Sequence, residues 1–269
     1  MTYDFLVEQI FTKKTYLCVG LDTDIEKLPA HLKDSADGMF QFNKQIIDAT
    51  LDSCVAYKIN TAFYEALGRK GWEIMEQTVN YIPSTHFKIA DAKRGDIGNT
   101  SAQYAKAFFE TLAFDAITIA PYMGADSVKP LLHYKDKWGI VLGLTSNEGS
   151  RDFQQQKAGE EFLYEKVIRT VSTWGTKQNL MFVVGATKHA DVLSIRNIIP
   201  KNFLLVPGVG AQGGSLQDVS KAGLTTDCGL LVNASRAIIY ASDGKDFAEK
   251  AKEIAQQYQQ EMAVLLSGI

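Results

Sequence analysis

The segment KIADAKRGDIGNT (88–100) sets three ionisable side chains, Asp91, Lys93 and Asp96, directly after a short apolar run. That run has the composition of a strand, and residues two apart on a strand point to the same side. Asp91 and Lys93 are therefore expected to face one way, about 7 Å apart. Asp96 falls beyond the strand, near the start of the next helix, where an acid alone serves as a cap or first-turn charge. Taken singly, each of the three suits a solvated or capping role. Their joint spacing at the end of a buried strand suits chemistry instead. Each ammonium beside a carboxylate is held charged, and each carboxylate is held ionised. In that setting Lys93 is a fixed proton donor, not a neutral nucleophile.

Two more charges end neighbouring apolar runs: Asp22 in VGLDTD and Lys58 in AYKIN. If their strands lie beside the first, Asp22, Lys58, Asp91 and Lys93 converge. Buried unpaired charge is so costly that such a set must be mutually compensating.

A second kind of chemistry is written near the far end of the chain, in VPGVGAQGG (206–214). Gly208, Gly210 and Gly213 formally match the dinucleotide fingerprint GxGxxG. The match is weak, because position 233, about twenty residues beyond Gly213, is Asn where an acid is needed. A phosphate cup fits better. Glycines expose backbone N–H groups to phosphate oxygens, and a following helix adds a favourable dipole. Arg236, in VNASRAIIYA, can grip two phosphate oxygens at once. A glycine-rich turn or a rim arginine is ordinary alone; together they favour a phosphate monoester.

The elements that must position these residues are legible as a rhythm. Apolar runs recur as TYLCVGL (15–21), CVAYKI (54–59), HFKIA (86–90), AITIA (116–120), GIVLGL (139–144), NLMFVV (179–184), NFLLVP (202–207) and CGLLVN (228–233). Their length and β-branched or aromatic content predict strands buried on both faces. Helices are predicted over 37–53, 61–82, 97–112, 157–177, 188–198, 214–222 and 245–266, with a shorter one near 124–133 and an extra leading helix over 4–13. Eight strands alternating with helices predict one α/β domain over 1–269, a (β/α)8 TIM barrel; a doubly wound open sheet is the alternative. In a barrel the first and eighth strands adjoin, so the phosphate end lies beside Asp22. The polar, Gln-rich stretch 146–159 is then a loop on the active-site face, long enough to cover a substrate.

Composition narrows the class. The formal net charge of −3 advertises no field for nucleic acid. Cys18, Cys54 and Cys228 form no CxxC pair, and the four histidines are isolated, so no metal site is suggested. Asp and Glu interrupt the N-terminal apolar residues, no signal peptide of ordinary type is visible, and no run approaches a membrane span. A cytoplasmic protein is expected.

The ordered set of motifs resembles the orotidine 5′-phosphate decarboxylase family, in its longer bacterial subfamily, from about residue 16 to 241. DAKRGDIGNT matches the family's D-x-K-x-x-D signature with the following I-x-x-T; LDTD, YKIN, PGVGAQGG and NASRAIIYA match its other strand ends. The resemblance implies decarboxylation of orotidine 5′-phosphate to UMP, the last step of de novo pyrimidine nucleotide synthesis, without metal or organic cofactor. Lys58, Asp91, Lys93 and Asp96 become the alternating charged array, with Lys93 protonating C6 and Asp91 beside the departing carboxylate. Asp22 and Lys58 hold one ribose hydroxyl. Asp96, Ile97 and Thr100 enter from the partner of a homodimer, Asp96 and Thr100 near the other hydroxyl. Pro207, Gly208, Gly210, Gln212, Gly213 and Arg236 form the phosphate end, Gln212 and Arg236 gripping it. Ser146, with Thr145 next, reads the pyrimidine. Sugar-phosphate relatives on the same scaffold use magnesium with an acid at the end of strand two; here Lys58 stands in that place. A catalytically silent nucleotide-binding barrel is the rival of another class, and the intact Asp91, Lys93 and Asp96 set argues against it.

Overall fold

The eight apolar runs pair in parallel, each with its successor, in a computed structural model that describes residues 1–185, 189–209 and 215–269. They are β1 (Leu17–Gly20), β2 (Ala56–Asn60), β3 (Phe87–Arg94), β4 (Ala116–Ile119), β5 (Trp138–Leu144), β6 (Leu180–Val184), β7 (Leu204–Pro207) and β8 (Leu230–Ala234). Among the described residues they close into a barrel, with β8 returning to β1 through the Leu17↔Val232, Cys18↔Asn233 and Val19↔Ala234 pairs. Every residue of β1, β6 and β8 is buried. A strand covered on both faces reads as a continuous apolar run, which is why these segments are visible in the sequence.

Helices cover the outside: α1 (Tyr3–Lys13), α2 (Gly38–Thr50), α3 (Gly68–Tyr81), α4 (Gly98–Lys106), α5 (Ala125–Leu132), α6 (Leu163–Ser172), α7 (His189–Ile198), α8 (Leu216–Gly223) and α9 (Phe247–Leu266). Their apolar stripes face the barrel; α6, for example, buries Tyr164, Ile168 and Val171 at helical spacing. The leading helix α1 is capped by Thr2, whose side chain accepts from the Phe5 N–H. Its Tyr3 ring packs on Trp138 and Phe203 at the N-terminal ends of β5 and β7. It therefore seals the end of the barrel away from the charged cluster.

Three helices differ from their predicted extents. The predicted 61–82 helix is two pieces, Ala62–Glu65 and α3, because Gly68 turns through φ +59° where the second begins. The 97–112 helix ends in a π-helical turn, Ala107–Thr111. Most of the difference lies at 157–177, where Lys157–Ala158 pairs antiparallel with Glu161–Phe162 before α6 begins. The two-residue Gly159–Glu160 loop closes that hairpin, a turn signal that outweighs the polar helix-forming residues around it. A short helix, Arg236–Ile239, follows β8 where the sequence reads only as a strand end. Among the described residues no helix is long and apolar enough to cross a membrane.

Candidate active site

The register of β1, β2 and β3 brings the charges together. Gly20 lies opposite Lys58, and Asn60 opposite Asp91. Lys58 is only 4% exposed, and its Nζ donates to Asp22 Oδ1 at 3.1 Å and to Asp91 Oδ2 at 2.9 Å. Burial alone would lower the Lys58 pKa; Asp22 and Asp91 outweigh it and raise it above the ordinary lysine value. Burial alone would likewise raise the Asp91 pKa, but the Lys58 and Lys93 ammoniums outweigh it and hold the carboxyl at about 2. Both groups are thus charged at neutral pH, each because of the other.

Lys93 reaches the cluster by a different route from simple strand alternation. Its Nζ donates to Asp91 Oδ1 at 2.5 Å while its side chain stays half-exposed. Between the Ala90↔Ile117 and Arg94↔Ile119 pairs, β3 carries two more residues than β4. Within that bulge Lys93 has φ +48°, the left-handed region that few non-glycine residues occupy. Bulges re-aim side chains at the rims of barrels, and this one turns the ammonium onto its neighbour. Arg94 clamps the outer side: its guanidinium pairs with Glu65, donates to the Ala92 carbonyl and lies over the Tyr104 and Phe108 rings. Nothing in the apolar pattern marks Glu65 as a partner.

A buried polar network holds the segment that carries Asp22. Thr23 Oγ1 donates to Asn43 Oδ1 at 2.6 Å, and Asn43 Nδ2 donates to the Tyr64 and Thr78 hydroxyls. Tyr64 in turn donates to the Leu21 carbonyl. On the other side the Asp24 N–H donates to the Tyr240 hydroxyl at 2.7 Å. Every member has a partner, so the network fixes the loop without leaving a costly orphan.

The phosphate-end residues open onto the same space. Pro207, Gly208 and Arg236 line one cavity with Asp22, Lys58 and Asp91. Asn233 and Ser235, which the sequence does not single out, line it too, with Asn233 Nδ2 donating to Ser235 Oγ at 3.2 Å. They explain Gly20: a Cβ there would stand 1.8 Å from Ser235 Oγ, so only glycine lets β1 pass beneath the rim of β8. Gly210, Gln212 and Gly213 lie outside the described residues.

Other expected residues stand apart from that cavity. Thr145 and Ser146 line a second one with Ser150 and Gln155. The Thr145 N–H donates to Gln154 Oε1, and its hydroxyl donates to Asn147 and accepts from Gln154, so this residue is engaged by its own loop. The Asp96 carboxylate accepts from the Ile97 N–H at 2.8 Å, and no hydrogen bond or ion pair among the described residues joins it to Lys93. Ile97 is 55% exposed, and Thr100 is exposed in the first turn of α4.

A charged trio and a rim arginine around one cavity at the strand ends invite comparison with known proteins. The family model described as Orotidine 5'-phosphate decarboxylase / HUMPS family matches residues 15–251, which include every residue of this cluster. The chain belongs to the orotidine 5′-phosphate decarboxylase / HUMPS family. It is 58% identical over 271 residues to an orotidine 5′-phosphate decarboxylase of Flavobacterium johnsoniae, covering all of this chain and 99% of that one. It is 54% identical over 273 residues to one of Bacteroides fragilis, covering both in full. Among solved structures it resembles the OMP decarboxylase of Leishmania donovani, with a TM-score of 0.82 and 36% identity over 97% of this chain and 99% of that one. It also matches the UMP synthase of the same organism, with a TM-score of 0.83 and 38% identity. That match covers 96% of this chain but only 56% of the longer protein.

Proposed function

We propose that this family member decarboxylates orotidine 5′-phosphate to UMP with no metal or organic cofactor, through a site carried by one domain over 1–269. The observation that carries this is Lys58. Its ammonium sits between the Asp22 and Asp91 carboxylates, where a divalent ion would have to bind, and is held charged there. A magnesium-dependent sugar-phosphate reaction would meet that cation head-on. Decarboxylation needs no Lewis acid if the charges already favour the developing anion. The bond from C6 to the carboxylate breaks, CO2 leaves, the electron pair remains on C6, and a proton from Lys93 Nζ replaces it. Asp91 orients Lys93 for that transfer.

The substrate lies along the arc of strand ends. Pro207, Gly208 and Arg236, with Gly210, Gln212 and Gly213, hold the phosphate; Asp22 and Lys58 hold a ribose hydroxyl; Ser146, with Thr145 next, reads the pyrimidine. The enzyme is a homodimer in which Asp96, Ile97 and Thr100 serve the partner's site. Support for this comes from the rim. Ile97, just past the charged strand end, is 55% exposed, an apolar side chain that a second copy would cover. Three buried free thiols, Cys18, Cys54 and Cys228, suit the reducing cytoplasm.

The deciding measurement is loss of orotidylate absorbance on adding pure protein in EDTA. Full activity is expected; an enzyme abolished by EDTA and rescued by magnesium would favour the sugar-phosphate reaction. The phosphate assignment has its own test. Arg236→Ala should raise KM and also slow turnover, and orotidine without phosphate should react far more slowly, because remote binding helps assemble the site. Equal kcat/KM for orotidine and its phosphate would remove the phosphate role.

A further inference from the structure

The geometry points to Thr118 as a positioning residue that sets the Asp91 and Lys93 proton-donor pair. Thr118 is the β4 residue between Ile117 and Ile119, opposite the bulge that carries Asp91, Ala92 and Lys93. It is 1% exposed. Its Oγ1 accepts from the Lys93 backbone N–H at 2.8 Å and donates to Asp91 Oδ1 at 3.1 Å.

A threonine hydroxyl has one hydrogen. The Lys93 N–H can only donate, so that hydrogen goes to Asp91, and the direction of both bonds is settled. One side chain therefore ties the backbone turn that aims Lys93 to the carboxylate atom that receives Lys93 Nζ. Asp91 Oδ1 accepts from Thr118 and Lys93, and Oδ2 from Lys58. Without the hydroxyl the carboxylate can rotate, the Lys93 N–H loses its partner, and the ammonium loses its aim. Among the described residues the Thr118 hydroxyl bonds only this pair, and the phosphate contacts lie elsewhere.

The inference rests on the decarboxylase reading, and Thr118→Val, Thr118→Ser and wild type separate the two. Valine keeps the shape and removes the hydroxyl; serine keeps the hydroxyl. Removing a hydrogen bond to a charged group should lower kcat of Thr118→Val roughly 10- to 100-fold. KM for orotidine 5′-phosphate should stay within about threefold, and Thr118→Ser should recover kcat to within about threefold of wild type. A valine variant with wild-type kcat overturns the proposal. So does a serine variant as impaired as valine, or a parallel loss in kcat and KM, since either marks a packing role. Should the valine variant not fold, Thr118→Ala against Thr118→Ser makes the same comparison. A wild-type protein inactive on orotidine 5′-phosphate would instead fail the decarboxylase reading, and this proposal with it.

Discussion

Lys93→Ala should lower kcat by roughly 10²- to 10⁴-fold, the range over which a positioned proton donor contributes. The fold should survive. Lys93 is half-exposed at the rim, and Asp91 would keep both Lys58 and the Thr118 hydroxyl as donors. Lys58→Ala would be a poorer test of mechanism. It would strand Asp22 and Asp91 around a buried gap, and breaking a buried pair in that way costs about 3–5 kcal/mol of stability. A donor acts mainly in the transition state, so the Lys93 variant should lose turnover with little change in KM. Continuous absorbance assays, with circular dichroism to verify the fold, measure both. A variant keeping more than about a tenth of wild-type kcat would remove Lys93 from the donor role.

Mixing two inactive variants should restore activity. Lys93→Ala and Asp96→Ala are each expected to be nearly dead alone. If Asp96 serves the partner's site, a mixed dimer holds one site with both lesions and one with both native residues. Random exchange of equal amounts makes about half the dimers mixed, and half the sites in those are intact, so activity should return to about a quarter of wild type. The geometry motivates this directly. Within one chain the Asp96 carboxylate turns back to the Ile97 N–H, and Ile97 and Thr100 face outward on the same rim. If Asp96 acts within its own barrel, every site keeps one lesion. Failure to recover, with subunit exchange verified independently, would sink the shared site.

The barrel was legible in the chain because its signals are local. A strand covered by helices outside and packed core inside is apolar along its whole length, as LMFVV and LLVNA are. Charges that end such runs stand out, and parallel order places consecutive strand ends side by side. Strand order alone therefore gathers Asp22, Lys58 and Asp91, and with them Arg236 on the adjoining eighth strand. The helix expected over 157–177 starts only at Leu163 for a local reason too: a two-residue turn at Gly159–Glu160 outweighs helix-forming neighbours when an antiparallel partner is at hand.

The sequence by itself determined which residue types meet at the mouth of the barrel, since strand order and apolar length suffice for that. Only the tertiary structure decided how Lys93 is aimed. Strand periodicity assumes a regular ladder, whereas the bulge in β3 exists only against β4, where Thr118 receives the Lys93 N–H and Ala120 donates to the Arg94 carbonyl. The Arg94 clamp on Glu65 and the Asn43 network under Asp22 are likewise contacts between residues 20 to 43 positions apart. No window of sequence contains both partners, and the free energy that holds a left-handed lysine in place comes from those distant contacts.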